Sequence, residues 1–104
     1  MAKIIPTRIS ESERKKLKRL LSAKIAKLKS QREVSDFLED LLTESEFIMI
    51  IRRLEIAKML LDGYLYYQIR NKLGASYETI RVVRNKINKG KGGYLNFIKK
   101  LKII

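Results

Sequence analysis

The sequence predicts an all-α protein, and three observations support this fold class. Apolar residues recur three and four positions apart, and no run of the 104 residues alternates strictly between apolar and polar side chains. The only proline, Pro6, lies ahead of every predicted helix, so no helix is interrupted. A hydroxyl residue followed by Glu three positions later is a capping box, and three such pairs mark helix starts: Ser10 with Glu13, Ser30 with Glu33, and Thr43 with Glu46.

The first three helices follow from these starts. Helix one, over about 11–29, places an apolar stripe among lysines and arginines, and helix two, over about 31–42, has apolar residues at helical spacing. In the third helix, eleven of the fifteen residues 47–61 are apolar, so it should be buried on several sides. Because one small chain cannot cover such a helix completely, we expect an intertwined homodimer with this helix near its centre.

Residues 66–88 have the layout of a helix-turn-helix. Residues 68–73 can form about two turns of helix, Gly74 can supply the positive backbone angle that ends it, and Ser76 can cap the next helix through its hydroxyl. We expect Tyr64, Tyr66 and Tyr67 to precede the first of these helices, and Tyr67 to enter the core. Apolar contacts between the two helices are expected at Ile69, Leu73, Ala75, Ile80 and Val83.

Two features near this unit are less usual. Arg70 stands where most helix-turn-helix units have a small residue, so either the two helices splay slightly or the arginine points outward. After the unit, residues 89–93 form a glycine-rich break, and residues 94–104 predict a last amphipathic helix whose apolar face needs a partner. We predict a single domain over 1–104, with the helix-turn-helix at about 66–88 and a dimerisation core at about 10–62 and 93–104.

The formal net charge of +13 is concentrated at the two ends of the chain. Residues 1–30 hold ten Lys/Arg and two Asp/Glu, residues 31–63 hold four and eight, and residues 64–104 hold ten and one. Two concentrated basic segments favour a polyanionic partner, with nucleic acid preferred to a membrane surface. A generic basic surface without a specific partner is the alternative.

The exposed face of the second helix of the unit combines a guanidinium, an amide and an aromatic ring. Such a face can enter the major groove of double-stranded DNA and address base edges. Base readout is therefore predicted for Tyr77, Glu78, Arg81, Val82 and Asn85. Contacts with phosphates, which position a protein without specifying sequence, are predicted for Tyr66, Gln68, Lys72, Ser76, Thr79, Arg84, Lys86, Lys89 and Lys91. For any single lysine, ordinary solvation is the alternative.

Composition excludes several kinds of chemistry. The chain has no cysteine and no histidine, so disulfides, zinc fingers and imidazole catalysis cannot be built from it alone. Its carboxylates fall mainly at helix starts, where they interact with the helix dipole, so we expect no metal site and no enzyme activity. There is no apolar signal segment and no uncharged run of about 18 residues. We therefore expect a soluble, cytoplasmic protein without a cofactor or a membrane partner.

The order of several short motifs adds a family resemblance. Leu-Leu-Thr at 41–43 precedes the long apolar helix that contains Arg53, Leu-Leu-Asp-Gly at 60–63 ends it, and Leu-Gly-Ala-Ser at 73–76 precedes Thr79 and Ile80. Over about residues 37–94 the chain resembles the Trp repressor family, and Gly-Gly-Tyr at 92–94 resembles a Trp-repressor-like branch of it. The resemblance implies six helices in an intertwined homodimer, with two helix-turn-helix units spaced to meet successive major grooves of an operator.

The resemblance also locates a ligand site. In the family, an indole ring lies between two arginines, with a serine further along the recognition helix. Arg53 matches the first arginine, whereas Val82 stands at the second and Lys86 at the serine. Without the second guanidinium to stack on the ring, much of the affinity is lost, so Arg53 is interpreted as a vestigial ligand residue and tryptophan binding is not expected.

Together these observations predict a homodimeric, sequence-specific DNA-binding transcriptional regulator that does not depend on tryptophan. The first alternative is a nonspecific nucleic-acid or RNA-binding accessory protein, for which the basic ends alone would suffice. The second is an interaction module in which the basic first helix binds an acidic protein or a membrane surface, and the helix-turn-helix is only a structural corner.

Overall fold

A computed structural model describes residues 5–102 and contains six α-helices and one short turn of 3-10 helix. The 3-10 turn is Pro6–Arg8, and the helices are α1 Glu11–Ile25, α2 Gln31–Leu41, α3 Glu44–Leu61, α4 Tyr66–Leu73, α5 Tyr77–Lys89 and α6 Gly93–Lys102. No strand occurs within these residues, and the all-α, six-helix fold class is confirmed. The predicted end of the last helix at 103–104 lies outside the described residues.

The chain divides into two compact units, Met1–Leu41 and Leu42–Ile104. The first unit contains α1 and α2, and neither helix has a buried residue. Leu17, Leu20, Leu21 and Ile25 of α1 are 41–49% exposed, although their spacing is that of an inward-facing stripe. The apolar surface of this unit is therefore not covered within the unit itself.

Helix α1 is shorter than the sequence predicts, because it ends at Ile25 instead of near residue 29. The start of α2 explains the difference: Glu33 accepts a hydrogen bond from the backbone N–H of Lys29 at 3.1 Å, and the Glu33 N–H donates to Ser30 Oγ at 3.1 Å. These bonds hold residues 29–30 in the capping conformation of the next helix, which is incompatible with a continuation of α1.

The second unit has its core along the second half of α3. Helices α4, α5 and α6 all pack against α3, and the buried side chains are Ile56, Ala57, Leu60, Ile69, Ala75, Ile80, Val83 and Ile98. The capping box that starts α3 is complete, since Thr43 and Glu46 each accept the other's backbone N–H. The first half of α3 is different, because Ile48, Met49, Ile50 and Ile51 are 42–55% exposed within one chain. Within one chain α3 is buried only along its second half, and the cover expected for its first half from a second copy stays a prediction.

Candidate nucleic-acid interface

The turn between α4 and α5 forms as the sequence predicts. Gly74 ends α4 in the left-handed region at φ 69° and donates its N–H to the carbonyl oxygen of Arg70 at 2.8 Å. Ser76 then caps α5, with its hydroxyl accepting from the Thr79 N–H at 3.2 Å. The residues expected between the helices pack there: Ile69, Ala75, Ile80 and Val83 are buried, and Leu73 is partly buried against them.

The positions of the tyrosines before the turn differ from the prediction. Helix α4 begins at Tyr66, so Tyr66 and Tyr67 lie within it instead of ahead of it. Tyr66 shares a face with Ile69 and Leu73, at spacings of three and seven, and packs against the core. Tyr67 lies about 100° further round the helix and is 52% exposed. The prediction that Tyr67 enters the core is therefore wrong, and Tyr66 takes that place.

The outward face of α5 contains all five residues proposed for base readout. Tyr77, Glu78, Arg81, Val82 and Asn85 are each exposed, while Ile80 and Val83 on the opposite face are buried. This division follows from the helical period: Ile80 and Val83 lie on the face that packs on the core, and the five other positions lie on the remaining faces of the helix. Helix α5 thus presents a continuous polar face with two apolar additions, the ring of Tyr77 and the methyl groups of Val82.

Within that face, Arg81 is already paired. Its Nη2 donates to Glu78 Oε2 one turn earlier, and both side chains remain largely exposed. Glu78 is the only carboxylate among residues 64–104, which also hold ten lysines and arginines. An exposed pair of this kind contributes about 0.2–1 kcal/mol, so it orients the guanidinium without preventing a base edge or a phosphate from replacing the carboxylate.

Arg70 is a further candidate, because the sequence marked its position as unusual but predicted no DNA contact for it. Its guanidinium carbon lies 4.8 Å from the centroid of the Tyr77 ring, and Tyr77 stacks on Tyr66 with ring centroids 6.4 Å apart and planes at 27°. The arginine therefore points outward, which decides between the two outcomes that the sequence left open. A signal was present in the sequence, because Tyr77 follows Arg70 by seven residues across a glycine-ended turn, which brings the start of α5 near the last turn of α4.

Of the nine residues proposed for phosphate contacts, Tyr66 packs partly buried against the core, and the other eight fall into two groups. In the first group the polar atoms already cap helices: Gln68 Oε1 accepts from the Leu65 N–H at 2.9 Å, and the hydroxyls of Ser76 and Thr79 lie 3.0 Å apart. In the second group are the cationic side chains, of which Arg84 is half-buried and the rest are exposed, namely Lys72, Lys86, Lys89 and Lys91. The ammonium and guanidinium donors of the cationic group take no part in helix capping, whereas the polar atoms of the first group mainly order the backbone.

A pocket of about 560 Å³ opens between α3, α5 and α6. Arg53, Val82 and Lys86 all line it, so the three positions that the resemblance matches to a ligand site lie around one pocket. The remaining walls are mostly apolar and glycine-containing: Leu54, Val83, Gly90, Lys91, Gly93, Tyr94 and Phe97. Gly90 is required there, because a Cβ at this position would collide with the carbonyl oxygen of Lys86.

Residues 5–102 offer neither a membrane span nor a metal site. No helix in this part of the chain is long and apolar enough to cross a membrane. No group of three or more acidic residues within the same range is placed to hold a metal ion, and the sequence has no histidine or cysteine to supply other ligands.

Comparisons with known proteins agree on one family. A family model described as Trp repressor protein matches residues 15–102. The chain is 39% identical over 70 residues to the uncharacterized protein YerC of Bacillus subtilis (strain 168), which covers 67% of each sequence. The crystal structure of a TrpR-like protein from Eubacterium eligens ATCC 27750 superimposes with a TM-score of 0.73 at 34% identity, over 86% of this chain and 92% of that one. A candidate Trp repressor from Staphylococcus aureus, also a crystal structure, gives a TM-score of 0.73 at 29% identity, over 99% and 98%.

Proposed function

The chain belongs to the Trp repressor family, and from this membership and its helix-turn-helix we propose that it is a homodimeric, sequence-specific DNA-binding transcriptional regulator. The family and its TrpR-like neighbours suggest a DNA-binding regulator. The observation that carries the finer proposal is the outward face of α5, where Tyr77, Glu78, Arg81, Val82 and Asn85 are exposed together on a helix anchored by buried residues.

Base readout and positioning are assigned to different residues. Arg81 can donate two parallel hydrogen bonds to guanine O6 and N7, and Asn85 can pair in the same way with adenine. Lys72, Lys86, Lys89 and Lys91 supply exposed cations for the phosphates that flank the groove. Regulation would follow by occlusion, since a protein bound across a promoter excludes other proteins from the same duplex.

The apolar surface left exposed within one chain supports the homodimer. Helices α1 and α2 bury nothing, the first half of α3 is exposed, and Phe97 and Leu101 of α6 are 47% and 56% exposed. Monomeric proteins rarely leave so many large apolar side chains exposed to water in neighbouring turns of a helix. A second copy of the chain offers the same surfaces in return, as a two-fold interface requires, and it would place two recognition helices on one roughly palindromic site.

Independence from tryptophan is proposed from the pocket. An aromatic ring there would meet one guanidinium, that of Arg53, while Val82 offers methyl groups on the side where a second cationic plane is needed. Lys86 adds a positive charge, but its ammonium is a point charge that does not replace a planar guanidinium in stacking.

Selection of bound duplexes from a random pool, combined with light scattering, tests the proposal. We expect an enriched motif with approximate two-fold symmetry and a particle of twice the 12.2 kDa chain mass. Binding without any enriched motif would favour the nonspecific nucleic-acid or RNA-binding alternative, and a strictly monomeric particle would contradict the paired recognition helices.

A further inference from the structure

The stacked arrangement of Tyr66, Arg70 and Tyr77 joins the two helices of the helix-turn-helix at one point. Tyr66 is half-buried against the core, Tyr77 stacks on it, and the Arg70 guanidinium carbon lies 4.8 Å from the Tyr77 ring centroid. Two of the three side chains come from α4 and the third is the first residue of α5. The stack therefore runs from Tyr66 at the core, through Tyr77, to the cationic side chain of Arg70 at the surface.

The stack leaves the hydrogen-bonding edge of Arg70 unused. The contact with the Tyr77 ring engages none of the five N–H donors of the guanidinium in a hydrogen bond to an oxygen atom, so they remain available to an anion. Within residues 5–102 the side chain of Arg70 has no hydrogen bond and no ion pair. It differs in this from Arg81, whose guanidinium is engaged by Glu78.

We propose that Arg70 binds a backbone phosphate of duplex DNA through this free edge, and that Tyr77 serves as its platform. The proposal rests on the proposed function and extends the contact surface from α5 to α4. A diester phosphate fits because its two free oxygens can accept two parallel N–H bonds from the planar fork of a guanidinium. Pre-ordering by the ring reduces the side-chain entropy lost on binding, which is otherwise large for arginine.

The stack has a consequence for base readout as well. Tyr77 is the first residue of α5, and both Arg70 and Tyr66 contact its ring. A phosphate held by Arg70 would therefore set the distance between the duplex backbone and Tyr77. Arg70 is in this sense also a positioning residue for the groove-facing end of α5.

The test measures the salt dependence of duplex binding for Arg70→Ala, Arg70→Lys and a control, Lys100→Ala, which removes an exposed cation of α6 outside the proposed interface. For Arg70→Ala we expect affinity to fall about equally on a selected site and on a random duplex, and the slope of log K against log salt to fall by about one per protomer. Arg70→Lys should keep the slope but lose several-fold in affinity, because it keeps the charge and loses the planar fork. Lys100→Ala should leave both quantities unchanged.

A second comparison isolates the platform. In a Tyr77→Leu background, the loss caused by Arg70→Ala should shrink, because the guanidinium is no longer held; equal losses in both backgrounds would overturn the role of Tyr77. An unchanged salt slope for Arg70→Ala would overturn the phosphate contact, even if affinity fell. Circular dichroism of each variant controls for folding. If no motif is selected, sequence specificity is contradicted. The phosphate contact of Arg70 is still tested in that case, because the salt slope is also measured on the random duplex.

Discussion

Replacement of Arg81 by Ala is the sharpest test of base readout. A bidentate arginine–guanine pair contributes about 1–3 kcal/mol of discrimination, so two recognition helices on one site would lose about 2–6 kcal/mol. In the free protein Arg81 is paired with Glu78, and both side chains are more than 60% exposed, so the pair is screened by solvent and lowers this figure only slightly. Even the lower limit corresponds to roughly thirtyfold weaker binding to the selected site.

Fluorescence anisotropy with two labelled duplexes, the selected site and a scrambled one, measures the loss. The scrambled duplex should lose only a few-fold in affinity, since it loses one cation per protomer and no base contact. Arg84→Ala is the matched control: Arg84 lies on the same helix but is half-buried away from the readout face, so it should weaken both duplexes by the same factor. Equal losses for Arg81→Ala on both duplexes would refute base readout by this residue.

Four further outcomes are expected. Ile80→Ala, at a side chain with no exposed surface, should lower the free energy of unfolding in urea by about 2–5 kcal/mol, and a loss under 1 kcal/mol would contradict its place in the core. The backbone N–H of Thr43, followed by its hydroxyl, holds the pKa of Glu46 below its ordinary value of 4.5. This capping interaction therefore stabilises the fold above that pH and is lost as the pH falls through the lower folded-state pKa. Carboxyl NMR titration should show the depressed pKa. Ile51→Glu, in the exposed half of α3, should halve the particle mass in light scattering if α3 lies at the dimer centre. Val82→Arg should place a second guanidinium at the pocket beside Arg53 and raise tryptophan affinity several-fold in calorimetry; no measurable heat would contradict the pocket assignment.

Local signals predicted the recognition unit well. Gly74 and Ser76 act within one or two residues of themselves, through a positive φ angle and a hydroxyl cap, and both take these roles in the structure. The buried positions Ile69, Ile80 and Val83 followed from helical spacing alone. Because the outward face of α5 is what remains when those positions are buried, the residues proposed for base contacts lie on the exposed side of the helix, and their role in base readout stays a prediction.

Two kinds of feature could not be predicted from local signals: those set by the residue at which a helix begins, and those set by the rotamer of a long side chain. A shift of two residues in the start of α4 exchanged the places of Tyr66 and Tyr67, since neighbouring residues on a helix point about 100° apart. The stack of Arg70 on Tyr77 depends on the rotamer of a flexible side chain and on the angle between two helices, and neither is encoded by spacing. Apolar stripes on α1 and α6 were recognised, but the sequence does not say whether the same chain or a second copy covers them.

The position of Val82 connects the pocket with the recognition face. Val82 lines the pocket and is also 46% exposed on α5, so in a relative with an arginine there, a bound ring could tie the pocket to the orientation of the recognition helix. In this chain α5 is oriented by groups of the protein itself: Ile80 and Val83 in the core, the Ser76 cap, and the Arg70 stack at its first residue. Because these groups hold the start and the inner face of the helix, we expect its outer face to be presented without a bound ligand. The tryptophan-independent regulation proposed for this protein follows from that packing as well as from the missing guanidinium.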